Sequence, residues 1–259
     1  PLRDAVAGRI VMITGASSGI GEAAARRIGA AGATVVLVAR GQSRLEGIAA
    51  EIGENAHSWP CDLTDLEAID ELATGVNEAY GGVDVLVNNA GRSIRRSVEL
   101  SFDRFHDFER TMQLNYFASV RLIMRLLPAM RERGGGQVIN ISSAGVQTRT
   151  PRFSGYIASK AALEAFSDAL QAEMHGDGIR FTTISMPLVR TPMISPTEHY
   201  DRFPALTPEE AGSLIAEAIV GRPRRVAPPF AHLVSAVDAL SPELMDAVRH
   251  RGYRMFPDG

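Results

Sequence analysis

The sequence predicts an α/β protein: a single doubly wound parallel sheet of about seven strands with helices on both faces and a helical C-terminal extension. Three observations lead there. Short β-branched runs alternate with longer segments of helical periodicity, the pattern of a parallel sheet whose crossovers are helices. A glycine-rich turn, T-G-A-S-S-G-I-G at residues 14–21, joins the first such run to the first helical segment. The 259 residues suffice for one well-buried core, so residues 1–259 are expected to form one domain, with 187–259 a long loop and C-terminal helices within it.

In chain order, strands are expected at Ile10–Ile13, Thr34–Val38, Ala56–Trp59, Val83–Val87, Gln137–Ile141 and Arg180–Ile184. The intervening helices are expected at Ile20–Ala31, Ser43–Ile52, Leu66–Tyr80, Phe102–Arg131 and Ser154–His175. Pro187, Pro192, Pro196 and Pro204 then punctuate about twenty residues that cannot be a regular helix. A loop of that length in a compact domain is usually functional, often a substrate lid. Thr207, Pro208 and Glu210 form a capping-box signature for a helix running to Val220. A seventh strand is expected at Arg224–Val226, and the chain finishes in helices.

Composition narrows the function classes. A net charge of −3 lacks the basic excess of a nucleic-acid binder. Cys61 is the sole cysteine, so no internal disulfide can form; it reads as a small buried apolar residue of a protein in a reducing cytoplasm. The scattered histidines, His106 and His199 among them, show no zinc spacing, so no metal is expected. No run approaches the roughly 20 apolar residues of a membrane span, and no signal-peptide pattern opens the chain. The chain begins at Pro1 rather than methionine, which leaves open a place as one domain of a longer protein.

Ligands of open α/β sheets bind outside the carboxyl ends of the strands. Here those ends carry Thr14, Gly15, Gly19 and Gly21, then Arg40, Asp62, the run Asn88-Asn89-Ala90-Gly91, Ser142 and Ser143, and Pro187. Gly15, Ser17, Ser18, Gly19, Ile20 and Gly21 lead straight into a helix, where free N–H groups and the helix dipole suit a diphosphate. A tight strand-to-helix turn without a ligand is the plainer alternative. Arg40 follows Ala39, where no carboxylate is present to take ribose hydroxyls, which favours a 2′-phosphate and hence NADPH over NADH. The plainer alternative is a solvated arginine.

Tyr156 and Lys160 are four residues apart on one predicted helix, and therefore share a face. A phenol, with an ordinary pKa of about 10, is a poor acid–base group at neutral pH, and a neighbouring cation is expected to lower it. Ser143 ends the preceding strand. Surface decoration is the alternative for the pair taken alone.

T-G-A-S-S-G-I-G, N-N-A-G, Asn115, I-S-S and Y-I-A-S-K together resemble the short-chain dehydrogenase/reductases over about Gly8 to Met193, and the spacing selects Ser143 over Ser142. The resemblance implies that Tyr156 is the general acid for carbonyl reduction and that Lys160 holds the nicotinamide ribose. It implies that Ser143 binds the substrate oxygen and that Asn115 seats a water of the proton relay. Around the cofactor it implies roles for Asp62, Leu63, Asn88, Asn89, Ala90, Gly91, Pro187, Val189 and Thr191, and a homo-oligomeric state. Pro187-Leu188 stands where the family usually has Pro-Gly, and the usual glycine-rich C-terminal ending is absent.

A narrower likeness, over about Asn88 to Gly259, is to the reductase domain at the C-terminus of bacterial fatty acyl-CoA reductases. It rests on N-N-A-G-R-S-I-R-R-S, S-F-D-R-F-H-D-F-E-R-T-M-Q-L-N-Y-F, M-P-L-V-R-T-P-M-I and G-Y-R-M-F-P-D-G. It implies an NADPH-dependent carbonyl reductase of fatty acyl-CoA or fatty aldehydes. A ketoacyl or hydroxysteroid-type alcohol dehydrogenase, or a dinucleotide-binding module without turnover, are the competing readings. Arg92, Arg95 and Arg96 form either an anion-attracting patch for coenzyme A or a solvated basic face, and Arg222, Arg224 and Arg225 a weaker version of the same. Leu233, Val237, Leu240, Leu244, Met245 and Val248 form a helical stripe, read as core or subunit packing, or more sharply as the wall of an acyl tunnel or a membrane-touching face.

Overall fold

The structure, a computed structural model, describes residues 1–194 and 203–255. Its seven-stranded sheet is parallel throughout and runs β3-β2-β1-β4-β5-β6-β7. The strands are β1 (Ile10–Thr14), β2 (Thr34–Ala39), β3 (Ala56–Pro60), β4 (Val85–Asn88), β5 (Gly136–Ser143), β6 (Ile179–Met186) and β7 (Arg225–Val226). Strand order reverses between β1 and β4, which opens the crevice where such sheets bind ligands.

Both faces of the sheet are buried, so its strands are continuous apolar runs whose alternate residues enter opposite cores. Val11 and Ile13 of β1, with Val35 and Leu37 of β2, pack with α2 (Gly19–Ala30), α3 (Gln42–Ile52) and α9 (Pro208–Gly221). Met12, Val36 and Val38 pack with α4 (Leu66–Tyr80) and α6 (Ala118–Glu132) on the other face, where α8 (Ser154–Glu173) adds Phe166 and Leu170. Side chains set the helix starts. The Asp65 carboxylate accepts from the N–H groups of Glu67 and Ala68 and starts α4. The capping box of α9 forms as expected, with Glu210 N–H donating to Thr207 Oγ1 at 3.2 Å and Thr207 N–H to Glu210 Oε2 at 2.8 Å.

Three expectations about elements are corrected. The helix expected at Phe102–Arg131 starts later, as α5 (Phe105–Met112), and carries a π turn at Gln113–Phe117 before α6. Such a turn inserts one residue into the helical repeat and commonly marks a functional position. Two short helices were not foreseen, α1 (Leu2–Val6) and α7 (Ala144–Thr148). The C-terminal stripe belongs to two helices, α10 (Pro229–Leu240) and α11 (Pro242–Met255), and does not enter the core: Leu233, Leu240, Leu244 and Val248 are all exposed. α10 packs on α7 and α11 on α10, so the apolar stripe has no sheet to cover.

In the loop after β6, Leu206 N–H donates to Leu188 O and Arg190 N–H to Leu206 O, both at 2.9 Å, which ties the two ends of the loop together. Pro196, His199 and the last four residues of G-Y-R-M-F-P-D-G lie outside the described residues. No helix among the described residues is long and apolar enough to cross a membrane. Among the same residues no group of His, Cys, Asp or Glu is placed to hold a metal ion.

Candidate active site

The carboxyl ends of the strands open into one cleft of about 1560 Å³. That exceeds the roughly 300–1,000 Å³ of an ordinary small-molecule site, leaving space for a dinucleotide and a second molecule beside it.

On the β1 side the glycine turn is held open by its neighbours. Thr14 Oγ1 accepts from the N–H groups of Asn89 and Ala90, each at 3.0 Å, and Asn89 Nδ2 donates to Thr14 O at 2.9 Å. Gly15 has a φ of +66°, and a side chain there would meet Ala90 Cα at 2.9 Å. Gly19 has a φ of +54° and faces the Thr191 methyl, which a side chain would meet at 3.0 Å. No side chain caps the N-terminus of α2. A backbone stripped to glycine, with an uncapped helix start facing the cleft, fits a diphosphate. Arg44, which the sequence did not single out, steadies the turn by donating from Nε to Ser17 O at 3.1 Å.

Ser17, Ser18 and Ile20 line the cleft with Gly15 and Gly19, and so do Arg40, Asp62, Leu63, Asn89, Ala90, Gly91, Pro187, Val189 and Thr191. Asp62 is locked by Thr64, whose N–H and hydroxyl both donate to Oδ1, and these bonds hold its carboxyl below the usual range. Arg40 and Arg92 contribute to the same lowering, which places both cations on the Asp62 side of the cleft. Gly21, Asn88 and Asn115 sit behind the surface. A Cβ on Gly21 would lie 2.3 Å from Gly15 O, so this glycine serves the packing of helix on turn. Asn88 Nδ2 donates to Asn140 Oδ1 at 2.8 Å inside the core.

Ser143, Tyr156 and Lys160 meet at the other end of the cleft. The two serines that end β5 divide the work. Ser142 donates to the buried Glu164, whereas the Ser143 hydroxyl accepts from Gly145 N–H at 3.0 Å and hydrogen-bonds to the Tyr156 phenol. Lys160 is buried, and its Nζ donates to Ile141 O at 2.7 Å. Asn115, at the π turn, donates from Nδ2 to Arg92 O and to Ser159 Oγ, each at 2.9 Å, and accepts from Arg92 N–H at 2.8 Å. Its side chain is therefore spent on fixing the segment that follows β4 at Arg92, beside Gly91, where a Cβ would lie 3.2 Å from Asn115 Oδ1 and 3.4 Å from Lys160 Nζ.

The electrostatics differ from the sequence expectation of a phenol made acidic by its lysine. Burial pushes the Tyr156 phenol above its ordinary value, offset in part by the Ser143 hydrogen bond. Burial likewise pushes the Lys160 ammonium down to about 8, against a smaller opposing effect of Glu164. Desolvation penalises both charged forms, and the lysine points at a carbonyl oxygen.

The three arginines after β4 part company: Arg92 and Arg95 line the cleft, while Arg96 ion-pairs with buried Asp107 at 3.2 Å. His106 also meets Asp107, at 3.4 Å. Arg224 and Arg225 are tied to Asp168 at 2.6 and 2.7 Å, and Arg222 donates to Gly136 O at 2.8 Å, which makes that run structural. Burial raises the Cys61 thiol to about 11, in keeping with an inert side chain. Phe153, Met193, Phe203 and Phe230 also line the cleft, and no local pattern marks them because they come from three separate segments.

Fold and cleft define an oxidoreductase of the doubly wound, dinucleotide-binding class. The family profile for short chain dehydrogenases matches residues 9–201, and the chain belongs to that family of NAD(P)-dependent enzymes. It is 57% identical to an uncharacterized oxidoreductase of Mycobacterium bovis, over 99% of this chain and 77% of that one. It is 55% identical to a fatty acyl-CoA reductase of Acinetobacter baylyi, over 98% of this chain and 88% of that one. Among solved structures, a short-chain dehydrogenase from Streptomyces avermitilis superposes with a TM-score of 0.80 at 35% identity, covering 92% of this chain and 95% of that one.

Proposed function

We propose that the protein is an NADPH-dependent carbonyl reductase of fatty aldehydes or fatty acyl-CoA. The observation that carries the reading is one cleft lined by a glycine phosphate cradle, by the Ser143–Tyr156–Lys160 set and by apolar Met193, Phe203 and Phe230. An acyl chain is the substrate whose chemistry matches those apolar residues, and the likeness to the Acinetobacter enzyme supports the same class. Arg40, with Ala39 before it, supports a 2′-phosphate, and Arg92 and Arg95 offer charge for coenzyme A phosphates.

A bound nicotinamide supplies the hydride. Tyr156 gives its proton to the carbonyl oxygen, a task suited to a phenol that burial keeps protonated; an aldehyde then leaves as the alcohol, and an acyl-CoA leaves as a hemithioacetal that collapses to aldehyde and the coenzyme A thiol. Ser143, already bonded to that phenol, donates to the same oxygen and fixes the carbonyl in register. Lys160, released from Ile141 O, holds ribose hydroxyls and steadies the phenolate left after transfer. With the Asn115 side chain committed to Arg92 and Ser159, any relay water is seated by the opened backbone of the π turn. In its surroundings the enzyme is read as cytoplasmic and homo-oligomeric, through the face where Leu66, Phe117 and Met124 are exposed.

The test follows NADPH absorbance with aldehydes and acyl-CoA thioesters of graded chain length, beside 3-ketoacyl and steroid substrates. Consumption rising with chain length is expected. Preference for NADH, or turnover confined to the ketoacyl or steroid compounds, would overturn the assignment.

A further inference from the structure

The segment joining Ser143 to Tyr156 has a backbone that its residues do not favour by themselves. Arg149 (φ 51°) and Arg152 (φ 71°) both adopt left-handed conformations without being glycine, and such residues persist where surrounding structure over-determines them. Locally, Arg149 caps α7 with its N–H on Gly145 O at 2.8 Å, and Arg152 O accepts from Arg96 N–H at 2.8 Å; the C-terminal helix pair adds the side-chain contacts. Arg149 ion-pairs with Asp238 of α10 at 2.6 Å. The other oxygen of Asp238 meets Arg249 of α11, also at 2.6 Å, and Arg249 Nε donates to Thr148 O at 3.0 Å. Arg152 donates to Tyr253 O at 3.1 Å, with its guanidinium 4.0 Å above the Tyr253 ring.

Little apolar packing backs this attachment. Ala231 and Asp238 are the buried residues of α10, two turns apart on one face, and α11 has none. A carboxylate 7% exposed between two guanidinium groups is thus the centre of the joint. On its inner side the joined segment carries Thr148, Thr150 and Phe153 into the cleft, next to Phe230 at the start of α10. Phe153 also packs edge-on to Tyr156, with ring centroids 6.4 Å apart.

We propose that Asp238 is a positioning residue that sets chain-length specificity. It pins α10 and α11 to residues 144–153, and so shapes the substrate-side wall without touching the cofactor. The inference rests on the acyl-carbonyl reading above and adds the residue that tunes it. Loss of the Asp238 charge takes this carboxylate from Arg149 and leaves Arg249 with Asp246 at 3.3 Å and Thr148 O, so the wall should relax while the glycine cradle, which Asp238 does not touch, stays as it is.

The experiment uses the full chain with Asp238→Asn and, separately, Arg149→Gly, which removes one ion pair and suits a left-handed residue. Asp238→Asn should raise KM for long-chain aldehydes about tenfold, while kcat on short aldehydes and NADPH affinity stay within about twofold. Amide exchange over residues 145–153 should speed up in the same variant. Arg149→Gly should repeat the KM effect with its thermal midpoint kept, which covers the case where Asp238→Asn folds poorly. Equal losses at every chain length, or unchanged exchange over 145–153, would overturn the proposal. If the wild-type enzyme reduces no acyl carbonyl at all, the substrate reading fails, and the exchange data still decide whether Asp238 is the pin.

Discussion

The two halves of the cleft are built on different physics. The glycine-turn half, where the cofactor is proposed to bind, is held by backbone: Thr14 and Asn89 stitch β1 to the end of β4, and Gly15, Gly19 and Gly21 leave no room for a carbon where helix and turn meet their neighbours. The substrate half is held by charge, with arginines 149 and 249 on one carboxylate and apolar residues gathered from distant segments. A backbone cradle fixes a shape that cannot vary. A side-chain wall pinned by ions can change its fit by exchange of single residues, which is what a family with one cofactor chemistry and many substrates requires.

The sharpest division between the halves comes from Tyr156→Phe. Loss of the proton donor should lower turnover by about 10²- to 10⁴-fold, whereas NADPH affinity, measured by fluorescence titration, should be nearly unchanged. A parallel fall in cofactor affinity would join the two halves that the geometry separates.

Changes of pH act next. Lys160 has its folded pKa lowered to about 8, so its charge is present below that value and lost above it. Reduction measured as kcat/KM should therefore hold through neutral pH and fall by about tenfold per unit at pH well above 8. A profile flat to pH 10 would show that the lysine acts without its charge.

On the proposed reading Arg40 gives a 2′-phosphate a charge-assisted bond worth about 1.5–3 kcal/mol, so Arg40→Ala should weaken NADPH roughly 10- to 100-fold with NADH unaffected. Equal weakening of both cofactors would place Arg40 elsewhere than at the phosphate. Gly21→Ala, with its Cβ 2.3 Å from Gly15 O, should lower stability by about 1–3 kcal/mol in thermal melts. The smallest effect belongs to Phe230→Ala at the exposed rim, a few-fold loss for long acyl chains and none for short ones.

The sheet, its parallel sense and the start of α9 are legible because each rests on local signals: β-branched runs, the Thr207 cap, and glycine where a side chain has no room. Tyr156 and Lys160 are legible as a pair by their four-residue spacing, and Ser143 by the resemblance to the family. The π turn at Asn115 is not, since one inserted residue leaves the apolar period of the helix almost unchanged. The acidity of Tyr156 was misjudged for a related reason: four-residue spacing gives proximity to Lys160, but burial decides which charged form is favoured.

The C-terminal stripe shows the same limit, because helical periodicity announces an apolar face and says nothing of what covers it. By itself the sequence determined the fold, the family and the positions of the reactive side chains, all properties of short stretches of chain. Only the tertiary structure decided which atoms those side chains bind, how far each is from water, and that a carboxylate near the end of the chain grips the segment between Ser143 and Tyr156. Such contacts join residues about a hundred positions apart, and desolvation depends on everything that surrounds a group, which no local pattern records.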